Sequence, residues 1–288
     1  RMTMTNVAII YHSDDLDGHL SGELLKRVYP QAYLKGMHSG DILSDEECEK
    51  IRQNDIIFIV DLSFPANVME AMRDKLVWID HHISSINDLS SINMAVKKVS
   101  TNKSACRLVW EYLYGEDVLP PKFLRLIEKY DLRKQEEDWS DVRAFQLAAR
   151  TYQTNPAAPE SIEFWNQLFE DNNTDVLIEQ GKSMDRFATQ QNLVLKERCF
   201  PGLFEGLDAI LYNGPNGSEI IMPFIESGEY QLGIFFQILN EKKVFISLRS
   251  QGDLDVSEIA KRHGGGGHKN AAAFTCTPSQ LVKIILGG

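Results

Sequence analysis

Several features that mark specialised protein classes are absent from this sequence of 288 residues. Its four cysteines show no CxxC spacing, which argues against a zinc knuckle, a redox pair or a disulfide framework. No apolar run approaches the roughly 18 residues that a membrane-spanning helix needs, and the first residues lack the apolar core of a secretory signal. We therefore expect reduced thiols, no contact with a membrane and a cytoplasmic location.

Basic residues are also scarce. Lys and Arg number 30 against 41 Asp and Glu, which gives a formal net charge of −11. Non-specific binding to long nucleic acid needs many cationic side chains facing the phosphates, so long duplex nucleic acid is not an expected partner. An anionic substrate would need positive charge concentrated at one place, and bound metal ions would provide it.

A nucleotide-dependent dehydrogenase is disfavoured as well. No Gly-x-Gly-x-x-Gly segment follows the first apolar run, and the run of four glycines lies late in the chain, at 264–267.

From residue 7 to about 80, the sequence alternates between strand and helix patterns. Strands are predicted at 7–11, 32–34, 56–61 and 76–80, and helices at 18–28, 44–52 and 65–74. Such alternation predicts a mostly parallel sheet flanked by helices, in which ligands bind at the carboxyl ends of the strands.

The rest of the chain changes character. Residues 101–198 are mainly helical in pattern, short strand-type runs follow at 207–212, 219–225, 231–238 and 243–249, and helices are predicted at about 255–263 and 278–286. We place the domain boundary near 190–202. The prediction is an α/β protein with a domain at 1–195, which includes a helical connector, and a smaller α/β domain at 196–288.

Three of the predicted strands end in residues that bind metals. These residues are His12 with Asp14, Asp15 and Asp17, then Asp61, then Asp80, His81 and His82. A single Asp or His at such a place is more often a cap or a hydrogen-bonded structural residue. Several like charges this close repel unless a cation offsets them, and a parallel sheet would bring the three ends together. The mixture of carboxylate and imidazole favours Mn²⁺, with Mg²⁺, Co²⁺ or Fe²⁺ as alternatives.

These motifs, with the distal Gly-Gly-Gly-Gly-His-Lys-Asn-Ala-Ala-Ala segment at 264–273, resemble the DHH phosphoesterase superfamily with its DHH-associated C-terminal domain. The motifs cover both halves of the chain. The resemblance implies hydrolysis of phosphate esters or anhydrides with two metal ions, the first bound by His12 and Asp15 and bridged to the second by Asp61. The ligands implied for the second ion are Asp17, His81, Asp131 and the bridging Asp61.

The resemblance also implies roles beyond metal binding. The catalytic residues would be His82, which contacts or protonates the phosphate or the leaving oxygen, the bridging Asp61, and Asp80, which orients a histidine. The first motif is one residue shorter than the form His-x-x-Pro-Asp-x-Asp, so Asp14 competes with Asp15 as the ligand.

A substrate-binding site is predicted in the second domain. Four glycines permit close approach of backbone amides to a phosphate, and an arginine can bind a phosphate through two hydrogen bonds. The alternatives are an ordinary turn for the glycines and a surface residue for the arginine. The predicted residues are Arg249, Gly264, Gly265, Gly266, Gly267 and His268.

We therefore expect a small metal-dependent phosphoesterase that acts on small nucleotides or very short single-stranded oligonucleotides. An exopolyphosphatase or pyrophosphatase-like hydrolase is the alternative, and a nucleotide-binding regulator without turnover is the third hypothesis. A homodimer is compatible with each of them.

Overall fold

The computed structural model of the protein describes residues 5–38, 40–215 and 217–286. The chain divides into two compact units, Arg1–Asp185 and Arg186–Gly288, and one long helix, α9 (Thr174–Lys196), runs across the division. None of the described helices is long and apolar enough to cross a membrane.

Unit 1 is built around a parallel sheet. Within the described residues its strands are β1 (Val7–His12), β2 (Tyr33–Met37), β3 (Ile56–Val60), β4 (Leu76–Asp80) and β5 (Val96–Val99), in the spatial order β2-β1-β3-β4-β5. The runs in β1, β3 and β4 are continuously apolar because both of their faces are covered. Strand β5 was not predicted, because its sequence, Val-Lys-Lys-Val, has apolar residues only at its two ends.

Helices cover both faces of this sheet. They are α1 (Leu16–Val28), α2 (Asp45–Arg52), α3 (Ala66–Met72), α4 (Ile83–Asp88), α5 (Ala105–Tyr114), α6 (Lys122–Asp131), α7 (Trp139–Ala149) and α8 (Ser161–Phe169). Ile9 and Tyr11 of β1 belong to one apolar cluster, with residues of α1 and α5–α8, while Ile10 belongs to another, with residues of α2 and α3. The predicted α/β class is confirmed for this part of the chain.

The carboxyl ends of β1, β3 and β4 are neighbours. Tyr11 pairs with Val60, and Val60 pairs with Ile79 on its other side. The next residue along each strand is therefore His12, Asp61 or Asp80, and the register places these three positions beside one another.

Unit 2 is a smaller α/β unit with a mixed sheet. Its strands are β6 (Phe200–Phe204), β7 (Leu207–Asn213), β8 (Leu232–Asn240), β9 (Lys243–Arg249), β10 (Gly266–His268) and β11 (Ala271–Cys276), in the order β10-β11-β9-β8-β7-β6. Helix α10 (Gly217–Glu226) packs on one face, and α11 (Val256–Arg262) and α12 (Pro278–Ile285) pack on the other. The predicted α/β class is confirmed here too.

One predicted strand is wrong. Residues 219–225 lie in helix α10 because β7 and β8 pair in parallel, and two parallel neighbours need a crossover connection, which is usually a helix. The apolar residues Ile220, Ile221 and Ile225 are buried on one face of this helix, at the spacing of a helix rather than of a strand.

Candidate metal centre

Asp61 lies at the centre of the carboxyl edge of the sheet. Its Oδ2 lies 3.4 Å from Nδ1 of His12, and its Oδ1 lies 3.1 Å from Nε2 of His81. The two oxygens of one carboxylate therefore face two different groups of potential ligands, each with its atoms within 4.8 Å of one another. The two groups are His12, Asp15 and Asp61, and Asp17, Asp61 and His81.

The backbone of Asp61 has an uncommon conformation. Its φ of 59° lies in the left-handed region, which few residues other than glycine adopt, although aspartate tolerates it better than most. The amide of Asp61 donates to the carbonyl of Ile79 at 2.9 Å, which ties the turn to β4. This turn directs the side chain between the ends of β1 and β4.

The first ligand group forms at the junction of β1 and α1. Asp15 is the N-cap of α1: its Oδ1 accepts a hydrogen bond from the amide of Gly18 at 3.0 Å, while its Oδ2 lies 3.5 Å from Nδ1 of His12. Asp14 lies on the opposite side of the imidazole, with Oδ2 3.1 Å from Nε2. The structure thus brings Asp15 into the group with Asp61, at Nδ1 of His12, and places Asp14 at Nε2 on the other side of the ring.

The second ligand group depends on helix α5. Asp17 is buried, and its two oxygens accept hydrogen bonds of 2.8 Å from the amides of Ala105 and Cys106, the first two residues of α5. These amides would otherwise lack partners within the helix, so Asp17 satisfies them and is fixed by them. Its Oδ2 lies 3.5 Å from Nε2 of His81.

Asp131, the last residue of α6, lies on the other side of His81. Its Oδ2 is 3.6 Å from Nδ1 of that ring, whereas Asp17 and Asp61 face Nε2. Within the described part of the chain, Asp131 belongs to none of the groups of three potential ligands. Its Oδ2 is nevertheless buried and has no hydrogen-bond partner there.

Asp80 and His82 form a further group of potential ligands with Asp61, whose Oδ1 lies 4.0 Å from Nδ1 of His82. Oδ1 of Asp80, which is fully buried, accepts a hydrogen bond of 2.7 Å from Nδ1 of His82 and others from the amides of His81 and His82. The side chain of His82 is 27% exposed. Asp80 therefore fixes the orientation of a histidine that remains accessible.

The charges of the site fit a metal ion. Burial, followed by the nearby Asp61, raises the pKa of Asp17 to about 6, and burial and then Asp17 raise the pKa of Asp131. Burial disfavours a charged His81, but the surrounding carboxylates outweigh it and raise the pKa of His81. Negative charge thus exceeds what the histidines offset, and a divalent cation among these carboxylates would relieve the repulsion.

In unit 2, Arg249 ends strand β9. Its Nε donates to Oγ of Ser218 at 2.7 Å, its Nη1 donates to Oγ of Ser247 at 2.8 Å, and the guanidinium lies 5.2 Å from the ring centre of Phe235. Arg249 is therefore held in one orientation by the first turn of α10 and by its own strand.

The glycine run differs from the predicted amide cradle. The amides of Gly264 and Gly265 donate to the carbonyls of Lys261 and Ala260, which ends helix α11, so these two amides are already engaged. Gly266, Gly267 and His268 form the edge strand β10. The run is glycine-rich because the backbones approach closely: a Cβ on Gly265 would lie 2.0 Å from the carbonyl oxygen of Ala273.

Comparison with known proteins supports the resemblance seen in the sequence. Residues 224–285 match the DHHA1 domain. An uncharacterised protein of Acanthamoeba polyphaga mimivirus is 26% identical over 87% of this chain, and the chain spans 62% of the length of that protein. The oligoribonuclease NrnB of Bacillus subtilis (strain 168) is 23% identical over 93% of this chain and 72% of its own length.

A solved structure shows the same fold. The DHH domain of a member of a family of ribosomal proteins aligns with a TM-score of 0.53 and 13% identity, over 98% of this chain and 85% of that one. The chain is therefore similar to proteins of the DHH phosphoesterase superfamily, in its DHHA1 domain and in its fold. The predicted DHHA1 domain lies in unit 2, and the Asp-His-His motif that gives the superfamily its name lies at the end of β4.

One polar residue at this edge of the sheet was missed in the sequence. His38 follows β2, and its Nδ1 lies within hydrogen-bond distance of Oδ1 of Asp14. The prediction ended this strand at residue 34, whereas β2 extends to Met37. If the strand had been predicted to extend to Met37, His38 would have been recognised as a polar residue that follows a fourth strand at the same edge.

Proposed function

We propose that this protein is a metal-dependent phosphoesterase that hydrolyses phosphodiester or phosphomonoester bonds of small nucleotides or very short oligonucleotides. The observation that carries the proposal is Asp61, whose two oxygens each face a separate group of potential ligands. Similarity to a protein named an oligoribonuclease, over 93% of this chain, supports the choice of substrate class.

Two divalent ions would be held by the residues at this edge. The first group of ligands is His12, Asp15 and Asp61, and the second is Asp17, Asp61 and His81, with Asp131 as a further ligand. Mn²⁺ suits this mixture of oxygen and nitrogen atoms, and Mg²⁺ or Co²⁺ are alternatives. Such ions neutralise the oxygens of a bound phosphate and lower the pKa of a water molecule.

His82 is the residue of this chain that we assign to proton transfer. Asp80 holds Nδ1 of the ring, so Nε2 is the atom that would donate a proton to the leaving oxygen or a hydrogen bond to the phosphate. The buried carboxylate stabilises the charged form of the imidazole. Asp80 therefore acts through His82 and is not assigned to a metal.

Unit 2 is proposed to bind the rest of the substrate. Arg249 is held by two serines, and a guanidinium fixed in this way can pair with a phosphate through two parallel hydrogen bonds. His268 and the glycines of β10 offer further polar contacts at the edge of the sheet. We do not assign an amide contact to Gly264 or Gly265, because both amides are engaged in ending helix α11.

The test is an assay of the full chain with Mn²⁺ against a dinucleotide, short RNAs of increasing length, phosphoadenosine phosphate and inorganic polyphosphate. We expect release of nucleoside monophosphate from the shortest substrates and loss of turnover when the metal is chelated. Turnover of polyphosphate alone would establish the anhydride hydrolase instead. Absence of turnover with Mn²⁺ and with Co²⁺, together with nucleotide binding, would establish a regulator.

Asp61→Asn is the variant that tests the role of Asp61. Asparagine also tolerates the left-handed backbone at this position, so the fold should persist while the charge between the two ligand groups is lost. We expect turnover to fall to background at an unchanged melting temperature of the metal-free protein. A variant that kept the full rate would remove Asp61 from the centre of the mechanism.

A further inference from the structure

The imidazole of His12 has carboxylates at both of its nitrogens. Nδ1 lies 3.5 Å from Asp15 and 3.4 Å from Asp61, whereas Nε2 lies 3.1 Å from Oδ2 of Asp14. An ionised carboxylate only accepts hydrogen bonds, so in the neutral ring the shorter contact, with Asp14, favours the proton on Nε2. In the neutral ring, Nδ1 then presents its lone pair to the first ligand group, as a metal ligand must.

The second oxygen of Asp14 is held in turn by His38. Nδ1 of His38 is within hydrogen-bond distance of Oδ1 of Asp14, and the turn that carries His38 is closed by Asp41, whose carboxylate accepts from the amide of His38 at 2.9 Å. The ends of β1 and β2 are thereby joined through side chains. A chain of contacts runs from His38 through Asp14 to His12.

We propose that Asp14 and His38 are positioning residues that hold His12 for the first metal ion. This inference rests on the proposed function, since it concerns how the chain presents one ligand of that centre. It also separates two adjacent aspartates: Asp15 contributes an oxygen to the ligand group, and Asp14 fixes the tautomer and the orientation of the histidine. Carboxylates that accept from the outer nitrogen of a metal-binding histidine act in this manner.

The two aspartates respond differently to replacement by asparagine. In Asp14→Asn, the amide oxygen still accepts from Nε2 of His12, and the amide NH₂ can donate to His38 in its other tautomer. In Asp15→Asn, a charged ligand atom is lost. Because the side chains of Asp14 and His38 are 40% and 67% exposed, variants at these positions should fold normally.

The experiment is calorimetric titration of the full chain with Mn²⁺. The variants are Asp14→Ala, Asp14→Asn, Asp15→Asn, His38→Ala, the double variant of Asp14→Ala with His38→Ala, and Asp41→Ala as the control for the turn. Circular dichroism in EDTA checks that each variant is folded. We expect two Mn²⁺ ions to bind the unaltered protein.

We expect Asp14→Ala to weaken one of the two sites by about 10–100-fold, and Asp14→Asn to stay within a few-fold of the unaltered protein. His38→Ala should weaken the same site by a smaller factor, and the double variant should be no weaker than Asp14→Ala alone, because both residues act through one contact. Asp41→Ala should weaken the site no more than His38→Ala does, because Asp41 acts only through the turn that carries His38.

Other outcomes would each contradict a different part of the proposal. Equal losses in Asp14→Asn and Asp14→Ala would make Asp14 a ligand, and additive losses in the double variant would remove His38 from the chain of contacts. Unaltered affinity in Asp14→Ala would overturn the inference while leaving the metal centre intact. If the unaltered protein bound no Mn²⁺, the proposed function itself would fail.

Discussion

The hydroxyl of Tyr11 donates a hydrogen bond of 2.5 Å to Oδ1 of Asn155, a residue 144 positions later in the chain. Asn155 also donates from Nδ2 to Oγ of Ser13 at 3.2 Å. The residues on either side of His12 are therefore both tied to the segment between α7 and α8. This segment therefore contributes to the placement of the first ligand group.

Tyr11→Phe tests this tie. The ring is fully buried, so removing its hydroxyl leaves the polar Asn155 with one partner fewer, and we expect the free energy of unfolding of unit 1 to fall by about 1–2 kcal/mol. Urea unfolding followed by tryptophan fluorescence measures the change. Tyr152→Phe is the control, because its hydroxyl makes a longer, exposed bond of 3.3 Å with Gln180. Equal effects in the two variants would show that the tie to Asn155 contributes nothing particular.

Asp80→Asn should separate catalysis from metal binding. The amide keeps the shape of the carboxylate and can still accept from His82, but it no longer stabilises the charged imidazole. We expect kcat to fall by about 100-fold, at the lower end of general acid–base contributions, while Mn²⁺ affinity stays within a few-fold. Steady-state kinetics and calorimetric titration give the two values. Loss of Mn²⁺ affinity in proportion to kcat would identify Asp80 as a ligand instead.

Gly265→Ala should strongly destabilise unit 2. The added Cβ would lie 2.0 Å from the carbonyl oxygen of Ala273, so β10 and β11 would have to separate, and we expect a loss of more than about 3 kcal/mol. Gly264→Ala is the matched control. Gly264 has a φ of 80° but open space around it, so its replacement should cost only about 1 kcal/mol. Thermal unfolding of both variants measures the difference, and similar losses would argue that backbone conformation, not close packing, requires these glycines.

Glu111 should make stability depend on pH. Burial opposes its ionisation, but hydrogen bonds of 2.9 Å from Lys103 and Arg107 outweigh burial and lower the pKa of Glu111 below its usual 4.5. A carboxyl group with a lowered pKa stabilises the fold above the pKa of the unfolded chain, and this contribution is lost as the pH falls. The difference in unfolding free energy between the unaltered protein and Glu111→Gln should therefore shrink as the pH falls below about 4.5.

The control for this pH dependence is Glu116→Gln, since Glu116 is 69% exposed and pairs only with Lys98 among the described ion pairs. Its effect on stability should be small at every pH. Denaturant titrations between about pH 3 and 7 would compare the variants. A constant difference for Glu111→Gln across this range would contradict the predicted role of its charge.

The strand ends of unit 1 were predictable because apolar runs, and the alternation of strand and helix that predicts a parallel sheet, can be recognised in short stretches of the sequence. His12, Asp61 and Asp80 end or follow such runs, and the structure brings them to one edge as the alternation of strand and helix predicts. The partners of Asp17 were not predictable. They are amides 88 and 89 residues later, and no short pattern links positions so far apart.

In unit 2, two sequence patterns have more than one structural meaning. Residues 219–225 are rich in isoleucine, which favours strands, but the parallel pairing of β7 with β8 requires a helix between them. The glycine run suggested an anion site because glycine permits close approach. At Gly265, the structure shows that the close neighbour is the backbone of β11. The missing side chain of this glycine therefore permits close packing of two segments of unit 2.

The hydrogen bonds between Asp17 and the amides of Ala105 and Cys106 affect the order in which the protein folds during its synthesis. The chain must be synthesised well beyond β4 before Asp17 finds the amides that fix it, because those amides lie 88 and 89 residues downstream. Closing so long a loop is entropically costly until the intervening strands have paired. The second ligand group is therefore complete only after the start of α5 has been synthesised and has reached Asp17. In a nascent chain, metal uptake at this group would report that α5 has taken its place.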